Sequence, residues 1–137
     1  MNTKTITTLS RITMLLYIAA IAYLCFGHFD NLPHPDKHLF GIETDKLVHF
    51  CMFLPFPILS YFAIGKVPGT YGKALLLVLV IFLSGCIVAA STEIIQSRIP
   101  YRTADHLDFL ADGIALGISS LAVFIIILVR HSKGGGR

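Results

Sequence analysis

Four long apolar runs leave this chain few ways to fold: Ile12 to Phe29, Leu47 to Ile64, Ala74 to Ile99 and Leu107 to Val129. Each is near or above the roughly 18 residues that, at a rise of about 1.5 Å each, cross a hydrocarbon core about 30 Å thick. In lipid the backbone has to satisfy its own hydrogen bonds, so each run is expected to be a membrane-crossing helix. The reading is all-α: a four-helix transmembrane bundle, a single integral membrane domain over residues 1–137.

Composition agrees, since 55% of the 137 residues are hydrophobic and only 14% are charged. The longest stretch outside the helices, Gly27 to Thr44, is too short to bury a core of its own, which excludes a soluble catalytic domain. Any chemistry has to sit in or on the bundle. Cys25, Cys51 and Cys86 are odd in number, lack CxxC spacing and lie inside apolar runs, where a free thiol behaves as a small hydrophobe. Lys4 and Arg11 before an apolar run also describe a secretory signal, with Ala20-Ile21-Ala22 as a cleavage site. The run continues through Tyr23, Leu24, Cys25 and Phe26, longer than a signal core, and is kept as the first span.

Cations set the expected orientation. Lys4, Arg11, Lys66, Lys73, Arg130, Lys133 and Arg137 fall on one side of four crossings, while Lys37, Lys46, Arg98 and Arg102 fall on the other. The positive-inside rule then puts both termini in the cytoplasm. All eight carboxylates (Asp30, Asp36, Glu43, Asp45, Glu93, Asp105, Asp108 and Asp112) belong to the outer side or to the outer part of a helix. The net charge of +3 is thus a topology signal; no basic stripe with interleaved aromatics points to nucleic acid. Membrane lipids are the expected partners, and the cytoplasmic cations suit anionic headgroups.

Polar residues at membrane depth are costly and usually face the bundle interior or a wet cavity. Asp45 is expected to N-cap the second helix, with His49 one turn deeper on the same face. The third helix ends before Pro100, so Glu93 lies roughly 9 Å below that end, with Gln96 beside it at i+3. The fourth starts near Thr103 to Asp105, with Asp108 and Asp112 a turn apart on one face and Asp112 roughly 10 Å deep. Three helices thus carry polar groups at similar depth, and a bundle this small hides them by turning them toward one another. The expectation is a shared polar pocket opening outward. A purely structural alternative is an ion-pair network in which Arg98, Arg102, Lys46 and protonated His49 neutralise Glu93, Asp108 and Asp112. Helix register in membranes needs less, because single interhelical hydrogen bonds of about 0.6 kcal/mol and small-residue packing suffice.

Other features have simpler explanations. Pro55 and Pro57 free the carbonyls of Cys51 and Phe53, kinking the second helix or shaping a cavity there. Gly113, Gly117, Ser119 and Ser120, with Ser84, Gly85, Ala89, Ala90 and Ser91, suit close helix approach. Phe50, Phe53 and Phe56 at helical spacing suit core or lipid. His28, His34, Asp36 and His38 form a loop cluster without the second shell a metal site requires.

Three stretches resemble a known family. Asp45-Lys46-Leu47-Val48-His49-Phe50-Cys51-Met52-Phe53, Glu93-Ile94-Ile95-Gln96, and Arg102 with Asp108-Phe109-Leu110-Ala111-Asp112 are similar, in order and spacing from Asp45 to Gly117, to the signature stretches of the VanZ-like family of small bacterial membrane proteins. Asp112 stands where Asn is also common, and Ala115 stands near where a Gly often follows. The resemblance implies an all-helical inner-membrane protein and points to reduced sensitivity to the lipoglycopeptide teicoplanin.

Two functions fit these residues. In the first, Asp45, Lys46, His49, Glu93, Gln96, Arg102, Asp108 and Asp112 line a cleft that holds the polar head of an amphiphile, such as teicoplanin or a lipid-linked wall precursor. The acids would accept from amines and amides, and Arg102 would take a carboxylate or phosphate. In the second, the protein is a membrane-embedded enzyme acting on a lipid-linked cell-envelope substrate, with His49 and Glu93 as general base and acid, or with His49, Glu93 and Asp108 holding a metal. No nucleophile elbow, HExxH, P-loop or paired-Cys motif is present, so no catalytic residue, metal or cofactor is assigned. An ion path is disfavoured because Ala74 to Ala90 and Ile114 to Val129 carry no charged side chain.

Overall fold

The computed structural model describes residues 3–28, 38–39, 41–100 and 105–134. Four segments are long and apolar enough to cross a membrane: Lys4–Phe26, Thr44–Ile64, Tyr71–Gln96 and His106–Ser132. The first is α1 (Thr3–Phe26). The second is broken into α2 (Thr44–Phe53) and α3 (Phe56–Ile64), and the third and fourth are α4 (Tyr71–Gln96) and α5 (His106–Gly134). The fold is an all-α, four-helix bundle of a multi-pass membrane protein. Before α2, β1 (His38–Leu39) pairs antiparallel with β2 (Ile42–Glu43) around Gly41, whose φ of +80° favours glycine.

Each break follows from local chemistry. Pro55 and Pro57 lack the N–H groups a continuous helix would use, so the second span turns at Leu54–Pro55. The Tyr17 hydroxyl of α1 donates to the Met52 carbonyl beside this break. Gly65 ends α3 in the left-handed region at φ +67°, and Thr70 caps α4 by accepting from Lys73 N at 3.4 Å. At its C-terminal end α4 tightens, Arg98 N bonding Ile95 O and Ile99 N bonding Gln96 O, before Pro100 stops it.

Burial is inverted relative to a water-soluble protein. Leu15, Leu16, Leu76, Ile87 and Leu121 are among the large side chains left exposed, forming an apolar surface suited to lipid. Two apolar clusters fill the interior. Ile21, Cys25, Phe53, Phe56, Ala89 and Leu116 pack toward the end that carries the acids. Tyr61, Val78, Ile81, Val123 and Ile127 pack toward the other. Gly85 lets α4 approach α5, since a Cβ there would lie 2.5 Å from Leu116 Cδ2 and 3.1 Å from Phe56 Cδ1. Gly113 has no such duty, with nothing within 4 Å of an added Cβ.

The two ends of the bundle differ in charge. At one, Arg11 Nε donates to Ala63 O at 3.0 Å, and Arg130 reaches the Tyr61 hydroxyl at 3.2 Å with its guanidinium over the Tyr61 and Phe62 rings. His131 meets the Pro68 carbonyl there. The other end holds Glu43, Asp45, Glu93, Asp105, Asp108 and Asp112.

Candidate functional site: an acidic chamber between three helices

Asp45 and His49 share one face of α2, Glu93 sits near the C-terminal end of α4, and Asp108 and Asp112 stand one turn apart at the start of α5. The packing of these helices brings the five side chains together. Ligating atoms of Asp45, His49 and Asp108 lie within 4.8 Å of one another, and so do those of His49, Glu93 and Asp112. His49 is the hinge of both groups. Its Nδ1 is 3.3 Å from each oxygen of Asp112 and 4.0 Å from Glu93 Oε1. His49, Asp108 and Asp112 are buried, Asp112 completely, while Asp45 is exposed at the rim.

A chain of polar contacts closes the rim. Lys46 Nζ pairs with Glu43 and, at 3.0 Å, with Asp105 Oδ2. Asp105 caps α5, its Oδ1 accepting from Leu107 N at 2.9 Å. The Leu107 N–H and then Lys46 hold the Asp105 carboxyl below the usual carboxylate range. Asp105 N in turn donates to Glu93 Oε2 at 3.2 Å, tying α4 to the start of α5. The small β1–β2 pair reaches the rim through Glu43.

Inside the rim the hydrogen-bond tally does not close. Glu93 Oε1, Asp108 Oδ1 and Asp112 Oδ1 are buried without a hydrogen-bond partner among the described residues. Buried acceptors are nearly always paired, so three orphaned carboxylate oxygens in one chamber ask for a donor or a cation.

The sequence-derived residues divide by this geometry. Asp45, His49, Glu93, Asp108 and Asp112 come together. Asp45 lies in the first turn of α2 and is not its N-cap; that position is Glu43, since the helix begins at Thr44, two residues earlier than an Asp45 cap would start it. Gln96 leaves the group: its Nε2 donates to the Cys25 carbonyl of α1 at 3.2 Å. Lys46 serves the rim. Arg98 is exposed. Arg102 lies outside the described residues, as do His34 and Asp36 of the loop cluster. Sequence reasoning missed Asp105 as cap and as Lys46 partner, though an Asp two residues before a helix interior is a cap signal. It also missed Tyr17.

Beside the chamber, an open apolar groove of about 490 Å³ runs between α1 and α2, lined by residues including Tyr17, Leu24, Leu47, Cys51 and Pro55. It begins at Thr44, in the helical turn that carries Asp45.

No protein-family model, curated protein or solved structure matches this chain.

Proposed function

We propose that this chain is a VanZ-like protein of a bacterial cytoplasmic membrane, with both termini cytosolic, whose acidic chamber opens outward to hold the polar head of an amphiphile. The observation that carries the reading is the set of buried, hydrogen-bond-deficient oxygens on Glu93, Asp108 and Asp112 around His49. A head group rich in amines and amides supplies the missing donors, and charge-assisted bonds to carboxylates are the strong ones. The groove between α1 and α2 supports the second half of the reading, because it offers apolar walls to a hydrocarbon chain next to the chamber. The concentration of Lys and Arg at the opposite end supports the orientation. A lipoglycopeptide such as teicoplanin, or a lipid-linked wall precursor, has both parts, and the resemblance of the three polar stretches points the same way.

The test is drug tolerance in a susceptible bacterium expressing the protein. Glu93→Gln and Asp108→Asn are each expected to return teicoplanin tolerance to the level of cells without the protein, at unchanged membrane abundance. Tolerance that persists in both variants removes the chamber from the mechanism.

One observation favours a second reading, an enzyme acting on a lipid-linked cell-envelope substrate. The Asp112 carboxylate orients the His49 imidazole as a catalytic base would be oriented. Lipid mass spectrometry of deletion against wild-type cells separates the two, since only turnover changes the lipid inventory.

A further inference from the structure

Two of the three orphaned oxygens of the chamber, Glu93 Oε1 and Asp112 Oδ1, face one imidazole nitrogen. Nδ1 of His49 has both Asp112 oxygens at 3.3 Å and Glu93 Oε1 at 4.0 Å. If Nδ1 carries a proton, that single N–H satisfies one of these oxygens and leaves the others bare. The cluster is also short of positive charge. Asp45, Glu93, Asp108 and Asp112 surround one imidazole, and Lys46 is engaged outward with Glu43 and Asp105. With the four carboxyls ionised, even an imidazolium leaves the described cluster net negative.

Spacing suggests what is missing. Ligands about 2.0–2.1 Å from a tetrahedral ion stand roughly 3.3 Å apart, the separation of His49 Nδ1 from Asp112. Small side-chain rotations would bring Glu93 Oε1 to the same distance. The second Glu93 oxygen is fixed by Asp105 N, which orients the carboxylate as outer-shell hydrogen bonds orient metal ligands. One imidazole and two carboxylates suit a borderline divalent cation better than a soft one, and they neutralise it.

We infer that His49, Glu93 and Asp112 form a binding site for a divalent transition cation of the Zn²⁺ or Mn²⁺ class. Asp108, buried and carrying its own unpartnered oxygen, stands beside this site, and exposed Asp45 marks its entrance from the rim. The site departs from the expectation of no metal drawn from motifs, because its ligands come from three helices and have no fixed local spacing. It draws on the same orphaned oxygens as the head-group reading, leaving Asp108 and Asp45 to accept from a head group, and its test is separate from that reading.

The experiment uses the full chain in detergent or nanodiscs, stripped with chelator and titrated with Zn²⁺, Mn²⁺ and the spectroscopic substitute Co²⁺, with no amphiphilic antibiotic present. One equivalent of metal is expected to bind, with visible cobalt bands and a zinc X-ray absorption spectrum containing a histidine shell. His49→Gln and Asp112→Asn are expected to weaken binding by at least about tenfold. Ser91→Ala, on the exposed face of α4, leaves binding unchanged. A wild-type protein that takes up none of these metals, a zinc spectrum without histidine, or folded variants that bind as wild type does would each overturn the site. The wild-type spectrum decides the matter even if a variant does not fold, and because no amphiphile is present the result is independent of the drug-tolerance test.

Discussion

His49 of α2 and Asp112 of α5, 63 residues apart in the chain, face each other across the bundle at 3.3 Å. This contact sets the chemistry of the acidic end, because it buries a carboxylate that lipid would exclude and leaves part of that carboxylate without a hydrogen bond. Such a group is expensive to keep unless something binds there.

Asp108 tests that trade. Its side chain is buried with one oxygen unpartnered, so neutralising it removes a desolvated charge close to other acids. Asp108→Asn is expected to raise the stability of the metal-free protein by about 1 kcal/mol while abolishing function, the usual exchange at a strained site. Thermal unfolding followed by circular dichroism measures it; a lower Tm contradicts the expectation.

Tyr17 holds the proline break. Its hydroxyl bonds the Met52 carbonyl, at a point where the helix has lost N–H groups to Pro55 and Pro57. Tyr17→Phe leaves that carbonyl unpaired in an apolar setting and is expected to cost about 1–2 kcal/mol in unfolding free energy. An unchanged unfolding midpoint in denaturing detergent contradicts the role.

Gly85 and Gly113 separate close approach from open space. Gly85→Ala pushes a methyl against buried Leu116 and Phe56 and is expected to cost about 1–3 kcal/mol. Gly113→Ala meets nothing within 4 Å and gains helix propensity, so it is expected to be neutral or to stabilise by up to about 1 kcal/mol. Equal effects in the two variants would contradict the packing described.

Acid is expected to loosen the start of α5 through Asp105. Its carboxyl is held low by the Leu107 N–H and then by Lys46, so the folded pKa lies below the unfolded one. A group of this kind contributes stability at pH above the ordinary Asp value of about 3.9, and loses it as pH falls through the lower folded value. An NMR titration of Asp105 is expected to give a midpoint below that of a free Asp; a midpoint at or above it contradicts the cap and the Lys46 pair.

Much of this architecture is legible in the chain. The four spans follow from hydropathy, the break from Pro55 and Pro57, and the convergence of His49, Glu93, Asp108 and Asp112 from the cost of hiding charge in a small bundle. Side-chain rotation about each helix axis was harder to read. Gln96 lies three residues from Glu93, yet it turns to the Cys25 carbonyl, because α1 covers that flank of α4. Lys46 sits one residue from Asp45, but a step of about 100° around the helix sends it outward to Asp105. Tyr17 is hidden inside an apolar run. A depth count could have found it, since Tyr17 and Met52 each lie about 12–14 Å from the ends of their helices nearest the acids.

The meeting of α2 and α5 at His49 and Asp112 is best tested by proximity in the membrane. In a background without Cys25, Cys51 and Cys86, His49→Cys is paired with Asp112→Cys and treated with a short bifunctional thiol reagent, and Asp112→Cys is paired with Ser91→Cys as a control on the exposed face of α4. The expected result is efficient intramolecular cross-linking of the first pair and none of the second. A folded, inserted protein in which the first pair stays unlinked while the second links would contradict the chamber itself.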